Sequence, residues 1–288
     1  MTQDGEALGN HMRIAVGVVT HPSSKYRDTR SFRALLDALE ESSGVNELHI
    51  EDLNRFSSND VPVLARFLRP VIHAWVVRRV ARFRGLGIQE SLFRAYEILK
   101  LHVGHGFGAR AVGEIIRNLN ITAAHQAVWE WGLGAGAEWV GVFEDDLAVS
   151  EGFSANYLQE TVASVRGLSP GLTRFVVFLS RSFSVSEHGA QAIVDSRDVT
   201  ELGVSITLSR QGFSDTAAAT LYERVALQEI SAVIASFSPL LRATVPIDWL
   251  LDLVFIRIAT CGERDQAPLM TAHLDPGPFE QQSLQQEA

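Results

Sequence analysis

Two short, uninterrupted apolar runs, at residues 14–19 and 139–143, limit the folds that are open to this chain. Unbroken apolar runs of this length are typical of parallel strands that are buried on both faces. A helical pattern over 31–41 and a second strand pattern over 46–51 follow the first run. This strand–helix–strand opening predicts an α/β fold with a mixed, mostly parallel sheet flanked by helices.

Helical patterns dominate the middle of the chain. Residues 58–105 predict a helical insertion, because apolar side chains recur there at three- and four-residue steps. Pro70 is expected to kink or split the first helix of this insertion, and a second helix is expected over 88–101. Further helices are expected at 111–133, 214–235 and 247–256, and further strands at 175–179 and 203–208.

The chain divides into one folded domain and two terminal segments. We expect a flexible leader at 1–12, the domain at 13–276, and a flexible, glutamine-rich tail at 277–288. The sequence shows no internal repeat and no clear linker, which favours a single domain.

Composition and charge exclude several classes of function. Lys+Arg 25 against Asp+Glu 34 gives a net charge of −9, which disfavours a nucleic-acid partner because phosphate contacts need a positive surface. The single cysteine, Cys261, excludes an intrachain disulfide and a multi-cysteine zinc site. We find neither a signal-peptide pattern nor an apolar stretch of 18 residues. The expected location is therefore cytoplasmic, with the inner face of the membrane as a peripheral contact.

The segment 61–84 carries six arginines and Trp75 but no acidic residue. Such a segment fits contact with anionic lipid or with a phosphorylated acceptor. A solvated helix face in an arginine-rich protein is the alternative, and it is the preferred interpretation of the two.

Three consecutive acids, Glu144, Asp145 and Asp146, directly follow the second apolar run. Three carboxylates at the end of a strand repel one another unless a cation is present. Ligands of open α/β sheets bind at the carboxyl ends of the strands, and hard oxygen ligands suit Mg²⁺ or Mn²⁺. The sequence therefore predicts a metal–diphosphate site here. The alternative is a solvated acidic turn that caps a helix near residue 151.

Residues 139–146 resemble the acidic motif of GT-A glycosyltransferases, in which a strand ends in Asp-x-Asp or a variant. The closest similarity is to glycosyltransferase family 25, the lipopolysaccharide-type and collagen-galactosyltransferase-like group, whose motif reads Leu-Glu-Asp-Asp. The similarity runs in order over about residues 14–255. Thr20 and Ala124 stand where the family usually has Asn and Ser. The matching positions are Val18–His21 with Arg27 and Arg30, Ala124–His125 with Trp129, Ile206–Gly212, and Pro246–Trp249.

This resemblance implies a single, Rossmann-like GT-A domain that transfers a hexose from a nucleotide-diphosphate sugar, with a UDP-sugar favoured. The implied acceptor is a saccharide or glycolipid, the implied cofactor is Mn²⁺ or Mg²⁺, and the implied stereochemical outcome is inversion. For the metal the resemblance implies Asp145, Asp146 and His273. For the nucleotide sugar it implies Thr20, His21, Pro22, Arg27, Arg30, Arg117, Asn118, His125, Glu144 and Asp145. The alternative for Arg27 and Arg30 is that they are ordinary surface arginines. The alternative for the helix at 117–125 is that it presents an ordinary helix surface.

Asp248 is the candidate general base. Inverting transfer needs a carboxylate that takes the proton of the acceptor hydroxyl during its attack on the anomeric carbon. The segment Pro246–Trp249 places this acid at a helix start beside an aromatic ring that could stack on a sugar. Asp is also a common N-cap residue, so helix capping is the alternative role.

Two other functional classes remain open at this point. The first is a GT-A-fold protein that binds sugar or nucleotide without transferring it. The second is a dinucleotide-dependent oxidoreductase, since residues 104–109 fit the pattern G-x-G-x-x-A. A dinucleotide fingerprint must follow a strand, whereas residues 101–103 end a helical pattern.

Overall fold

The computed structural model describes residues 12–21, 24–52, 54–105, 109–168, 174–181, 193–199, 203–209, 212, 217–261 and 268–282. Its strands are β1 (Ile14–Thr20), β2 (Val45–Asp52), β3 (Trp139–Glu144), β4 (Leu147–Val149), β5 (Phe175–Phe178), β6 (Ser180–Arg181), β7 (Ile193–Val199), β8 (Ser205–Ser209), β9 (Ala219–Glu223), β10 (Met270–Asp275) and β11 (Phe279–Gln281). Its α-helices are α1 (Arg30–Glu40), α2 (Val63–Phe83), α3 (Ile88–His105), α4 (Ala109–Gly134), α5 (Tyr157–Leu168), α6 (Arg224–Ser236), α7 (Pro239–Thr244) and α8 (Ile247–Cys261).

The main sheet has eight strands in the order β2-β1-β3-β9-β5-β10-β8-β7. Strands β2, β1 and β3 pair in parallel, and so do β5 and β10. Strands β9 and β8 run against their neighbours, so six of the eight strands point in one direction. The predicted α/β fold with a mixed, mostly parallel sheet is confirmed. A smaller sheet, β4-β11-β6, stands beside it.

Both faces of the main sheet are buried, which explains the unbroken apolar runs. Along β3, Trp139 and Phe143 face a core that includes α1 and α5, whereas Val140 and Val142 face the core under α4, α6 and α8. Successive strand side chains point to opposite faces, so a strand covered on both sides must be apolar at every position. Thr29 forms the N-cap of α1, since its hydroxyl accepts a 3.1 Å hydrogen bond from the Phe32 N–H.

The inserted segment is helical, as predicted, and consists of a 3₁₀ turn at Ser58–Asp60 followed by α2 and α3. The helix α2 continues through Pro70, so the proline does not split it, and the kink stays a prediction. Arg69, Pro70 and His73 are all buried. Gly85 ends α2 with a positive φ of 85°, and the N–H groups of residues 85 and 86 bond back to the carbonyls of residues 82 and 81. Within the described residues, no helix combines the length and hydrophobicity needed to span a bilayer.

Three regions differ from the expected elements. The predicted helix over 214–235 is wrong in its first part, because Ala219–Glu223 is the strand β9 in the middle of the sheet and α6 begins only at Arg224. No strand was expected at Met270–Asp275, which forms β10. The expected flexible tail begins with an ordered strand, since Phe279 is fully buried and β11 pairs with β4 and β6. Residues 1–11 of the predicted leader at 1–12, and the tail residues 283–288, lie outside the described residues.

Candidate functional site

The candidate site lies at the edge of the sheet where the parallel strands β1, β2 and β3 end. Thr20 is in register with Asp52 on β2, and Val19 is in register with Glu144 on β3. The antiparallel strand β9 starts at the same edge, because the Ala218 carbonyl accepts a 2.7 Å hydrogen bond from the Glu144 N–H. Chain segments that are distant in sequence therefore converge on the acidic turn at residues 144–146.

The three acids of this turn point to different neighbours. The Thr20 hydroxyl donates a 2.6 Å hydrogen bond to Asp145 Oδ2. Asp146 is buried and accepts a 3.2 Å hydrogen bond from Gln281 Nε2, while its carbonyl accepts one from the residue 282 N–H at 2.8 Å. Glu144 and Asp145 are half-buried, so these two carboxylates are the ones of the turn that face solvent at the sheet edge.

The third acid, Glu144, meets a buried histidine. His125 Nε2 of α4 lies 3.3 Å from Glu144 Oε1, and the histidine is fully buried. The histidine ring lies edge-on to Trp129, with the ring centroids 6.2 Å apart. This contact fixes the direction of the Glu144 side chain toward α4, on the face of the sheet that also carries α8.

Two glycines allow α4 to lie close enough to the sheet for this contact. A Cβ atom at Gly17 of β1 would stand 2.2 Å from Val128 Cγ1, and one at Gly132 of α4 would stand 2.7 Å from Val140 Cγ2. Real Cβ atoms do not approach other atoms so closely, so any larger residue would push α4 outward. Neither glycine is among the site residues predicted from the sequence.

Asp248 lies in the first turn of α8, which begins at Ile247. Burial of its carboxyl group, the negative charge of Asp252 and the negative charge of Glu144 together raise the pKa of Asp248 to about 7, although hydrogen bonds from the N–H groups of residues 248 and 249 oppose the shift. The same hydrogen bonds from backbone N–H groups also fit a role of Asp248 in stabilising the start of α8.

Asp252, one helical turn after Asp248, is held by an arginine of the inserted segment. Arg84 Nη2 lies 3.1 Å from each carboxylate oxygen of Asp252, and both side chains are largely buried. Arg69 also forms an internal ion pair, with Glu114 of α4. Two of the six arginines of segment 61–84 are therefore internal, in contrast with the solvated face expected from the sequence.

A pair of histidines fastens the insertion to α7 and α8. His73 Nε2 donates a 2.6 Å hydrogen bond to the Thr244 carbonyl, and its Nδ1 lies 2.9 Å from His102 Nε2. Burial lowers the pKa of His73 to about 4, so this ring is neutral near pH 7. The edge of its ring also meets Trp249, the neighbour of Asp248, at a centroid distance of 5.1 Å. The insertion thus packs beside Asp248 through the contact of His73 with Trp249. The sequence pattern did not indicate this packing.

The structure brings part of the expected donor-binding set to the same edge. Thr20 and His21 leave β1 there, and Arg27 forms an ion pair with Asp52 at the end of β2. Arg30 begins α1 and is exposed. Pro22 lies outside the described residues.

Arg117 and Asn118 lie farther from the acidic turn. Arg117 is eight residues before His125 on α4 and therefore about 12 Å away along the helix axis. Its side chain is exposed, and Asn118 Nδ2 instead donates a 3.3 Å hydrogen bond to the Thr244 carbonyl. The structure does not join this pair to Glu144, whereas it does join His125 to it.

His273 lies inside the sheet, on β10. It is buried, its ring stacks on Phe178 at a centroid distance of 4.9 Å, and its Nε2 lies 3.2 Å from Thr271 Oγ1. Across the described ranges, no group of three or more His, Cys, Asp or Glu side chains stands ready to hold a metal ion. The carboxylates of Glu144 and Asp145 supply the hard oxygen donors that Mg²⁺ and Mn²⁺ prefer. The metal assignment, including Asp146 and His273, stays a prediction.

The dinucleotide pattern lacks its required context. Gly104 lies within α3, and Ala109 begins α4, so no strand leads into the glycine-rich residues. Residues 106–108 are outside the described part of the chain. The geometry therefore gives no support to the oxidoreductase alternative.

In the comparisons with known proteins, no family model and no curated protein matches this chain significantly. The site must therefore be interpreted from its own chemistry. It combines half-buried carboxylates at a strand edge, an arginine at the neighbouring strand end, and an aspartate whose pKa lies near neutrality.

Proposed function

We propose that this protein is a metal-dependent GT-A glycosyltransferase. It transfers a hexose, from a UDP-sugar by preference, to a saccharide or glycolipid acceptor with inversion of configuration. The observation that carries the proposal is the group of carboxylates at the carboxyl ends of β1 and β3, where the Thr20 hydroxyl donates a 2.6 Å hydrogen bond to Asp145 and His125 lies 3.3 Å from Glu144. A base and a set of oxygen donors on one side of a sheet edge are the two elements that this reaction needs.

The donor binds at the carboxyl ends of β1 and β3. Thr20 and His21 contact the nucleotide, and Arg27 exchanges its ion pair with Asp52 for the diphosphate, since guanidinium forms bidentate bonds with phosphate oxygens. Glu144 and Asp145 would hold Mn²⁺ or Mg²⁺, with Asp146 and His273 as further predicted ligands. A cation held there would offset the negative charge of the diphosphate. His125 orients Glu144 through their 3.3 Å contact.

Asp248 acts on the acceptor. Its carboxylate takes the proton of the acceptor hydroxyl while that oxygen forms a bond to the anomeric carbon, and the bond from that carbon to the diphosphate oxygen breaks on the opposite face. A base is most effective when its pKa lies near the working pH, and the pKa of Asp248 is raised to about 7 by burial and neighbouring acids. Trp249, beside it, provides an aromatic face for the sugar.

The direct test measures nucleotide release and thermal stabilisation with a panel of nucleotide sugars, with and without Mn²⁺. We expect one nucleotide sugar to raise the melting temperature in a Mn²⁺-dependent manner and to yield free nucleotide when an acceptor is present. The Asp145→Asn variant should lose both effects, whereas Asp37→Asn, at an exposed position of α1, should keep them. Stabilisation without turnover would instead identify a binding protein, and the absence of both would contradict the proposal.

A further inference from the structure

The outer face of α2 exposes a row of apolar side chains. Its members recur at three- and four-residue steps, so they lie on one side of the helix. The side chains of Val63, Leu64, Phe67 and Val71 are each more than half exposed, and Trp75 is 47% exposed. Helix α3 adds exposed apolar side chains at Ile88, Leu92, Phe93 and Tyr96.

Arginines continue the same helix face toward the end of α2. Arg78, Arg79 and Arg82 are exposed, and no ion pair with any of them occurs in the part of the chain that the structure describes. The Arg79 guanidinium lies 5.4 Å from the ring centroid of Trp75. These side chains thus form a mixed apolar and cationic surface, which we call the α2 face: Val63, Leu64, Phe67, Val71, Trp75, Arg78, Arg79 and Arg82.

The charge of the α2 face is opposite to that of the rest of the protein. The α2 face carries three arginines and no acidic residue, so the remaining residues sum to −9 − 3 = −12. A second copy of this chain would bring its own three exposed arginines against these, which like-charge repulsion disfavours. An anionic surface with an apolar interior complements both the arginines and the apolar side chains.

We infer that the α2 face is a docking surface for a membrane that contains anionic lipids. The apolar side chains enter the boundary between headgroups and acyl chains, and Arg78, Arg79 and Arg82 contact lipid phosphates. An aromatic ring such as Trp75 is favoured at that depth. The inference does not depend on the proposed glycosyl transfer, because none of these residues belongs to the candidate site.

The test measures partitioning of the full chain onto vesicles by co-sedimentation. We expect binding to vesicles of phosphatidylcholine with phosphatidylglycerol, weaker binding to phosphatidylcholine alone, and a decline with added salt. Replacing Arg78, Arg79 and Arg82 together by Gln should lower the partition coefficient on the anionic vesicles at least about tenfold. The matched control replaces Arg13, Arg33 and Arg257, which are also exposed, and should keep most of the binding.

A second variant separates the apolar contribution. The double change of Phe67→Ser with Val71→Ser should weaken binding to both kinds of vesicle without lowering the melting temperature, because both side chains are already exposed. Equal losses in the arginine variant and its control would overturn the inference. The absence of vesicle binding at low salt would also overturn it. A third contradicting result would be a dimer in analytical ultracentrifugation that the Phe67→Ser with Val71→Ser variant abolishes, combined with no binding of the protein to vesicles.

Discussion

The guanidinium of Arg84 holds both carboxylate oxygens of Asp252 at 3.1 Å, across 168 positions of sequence. The pair joins the inserted helices to α8 one turn from the candidate base Asp248. The insertion therefore contributes to the site through this contact and through His73, which meets Trp249. A change in the insertion can consequently alter the surroundings of Asp248 from a distance.

Arg84→Gln should destabilise the protein, because it leaves the buried carboxylate of Asp252 without its partner charge. Breaking a buried pair from one side costs about 3 kcal/mol or more. Arg82→Gln is the matched control, since Arg82 is exposed, and it should change the unfolding free energy by less than about 0.5 kcal/mol. Urea unfolding of both variants measures the difference, and equal midpoints would show that the ion pair does not stabilise the fold.

Asp248→Asn should abolish transfer while leaving donor binding intact. Loss of a general base lowers kcat by about 10² to 10⁴, and Asn caps a helix about as well as Asp does. Transfer rate, donor affinity and melting temperature of this one variant therefore distinguish the two roles. A fully active variant would contradict the catalytic role and direct attention to Glu144 or Asp252.

The same residue predicts a pH dependence of stability. The pKa of Asp248 in the fold is about 7, against an ordinary value of 3.8, so the folded state holds this proton more tightly than the unfolded state. The contribution of this proton to the free energy of unfolding is fully present below pH 3.8 and is lost as the pH rises through 7. Asp248→Asn has no such titrating carboxyl group. The melting temperature of this variant should therefore rise relative to that of the wild type between about pH 4 and 7. A constant difference over that range would contradict the raised pKa.

Gly17→Ala should disturb the site by displacing α4, which packs against β1. Its new methyl group would stand 2.2 Å from Val128, so α4 must shift, at a cost of about 1–3 kcal/mol. Donor affinity should fall as well, because α4 positions His125 against Glu144. Gly113→Ala, in the same helix with open space around it, should be neutral or stabilising by about 0.5–1 kcal/mol. Thermal unfolding and donor titration compare the two, and equal behaviour would mean that close helix packing is not required.

Local patterns were sufficient for several elements. The apolar runs at 14–19 and 139–143 correspond to β1 and β3, and Thr29, directly before α1, forms its N-cap. These features depend on strand alternation, helix periodicity and a hydrogen bond between near neighbours, all of which act within a few residues. The placement of the three acids at a strand end follows from the same local pattern.

Long-range packing decided the rest. Ala219–Glu223 forms a central strand and not a helix, because β3 and β5 on either side supply its hydrogen bonds. The tail residue Phe279 is buried because β4 and β6 pair with its strand. Sequence alone thus determined the α/β class and the acidic turn. Only the tertiary structure brought His125 to Glu144 and Arg84 to Asp252, since these contacts depend on packing between segments distant in the chain.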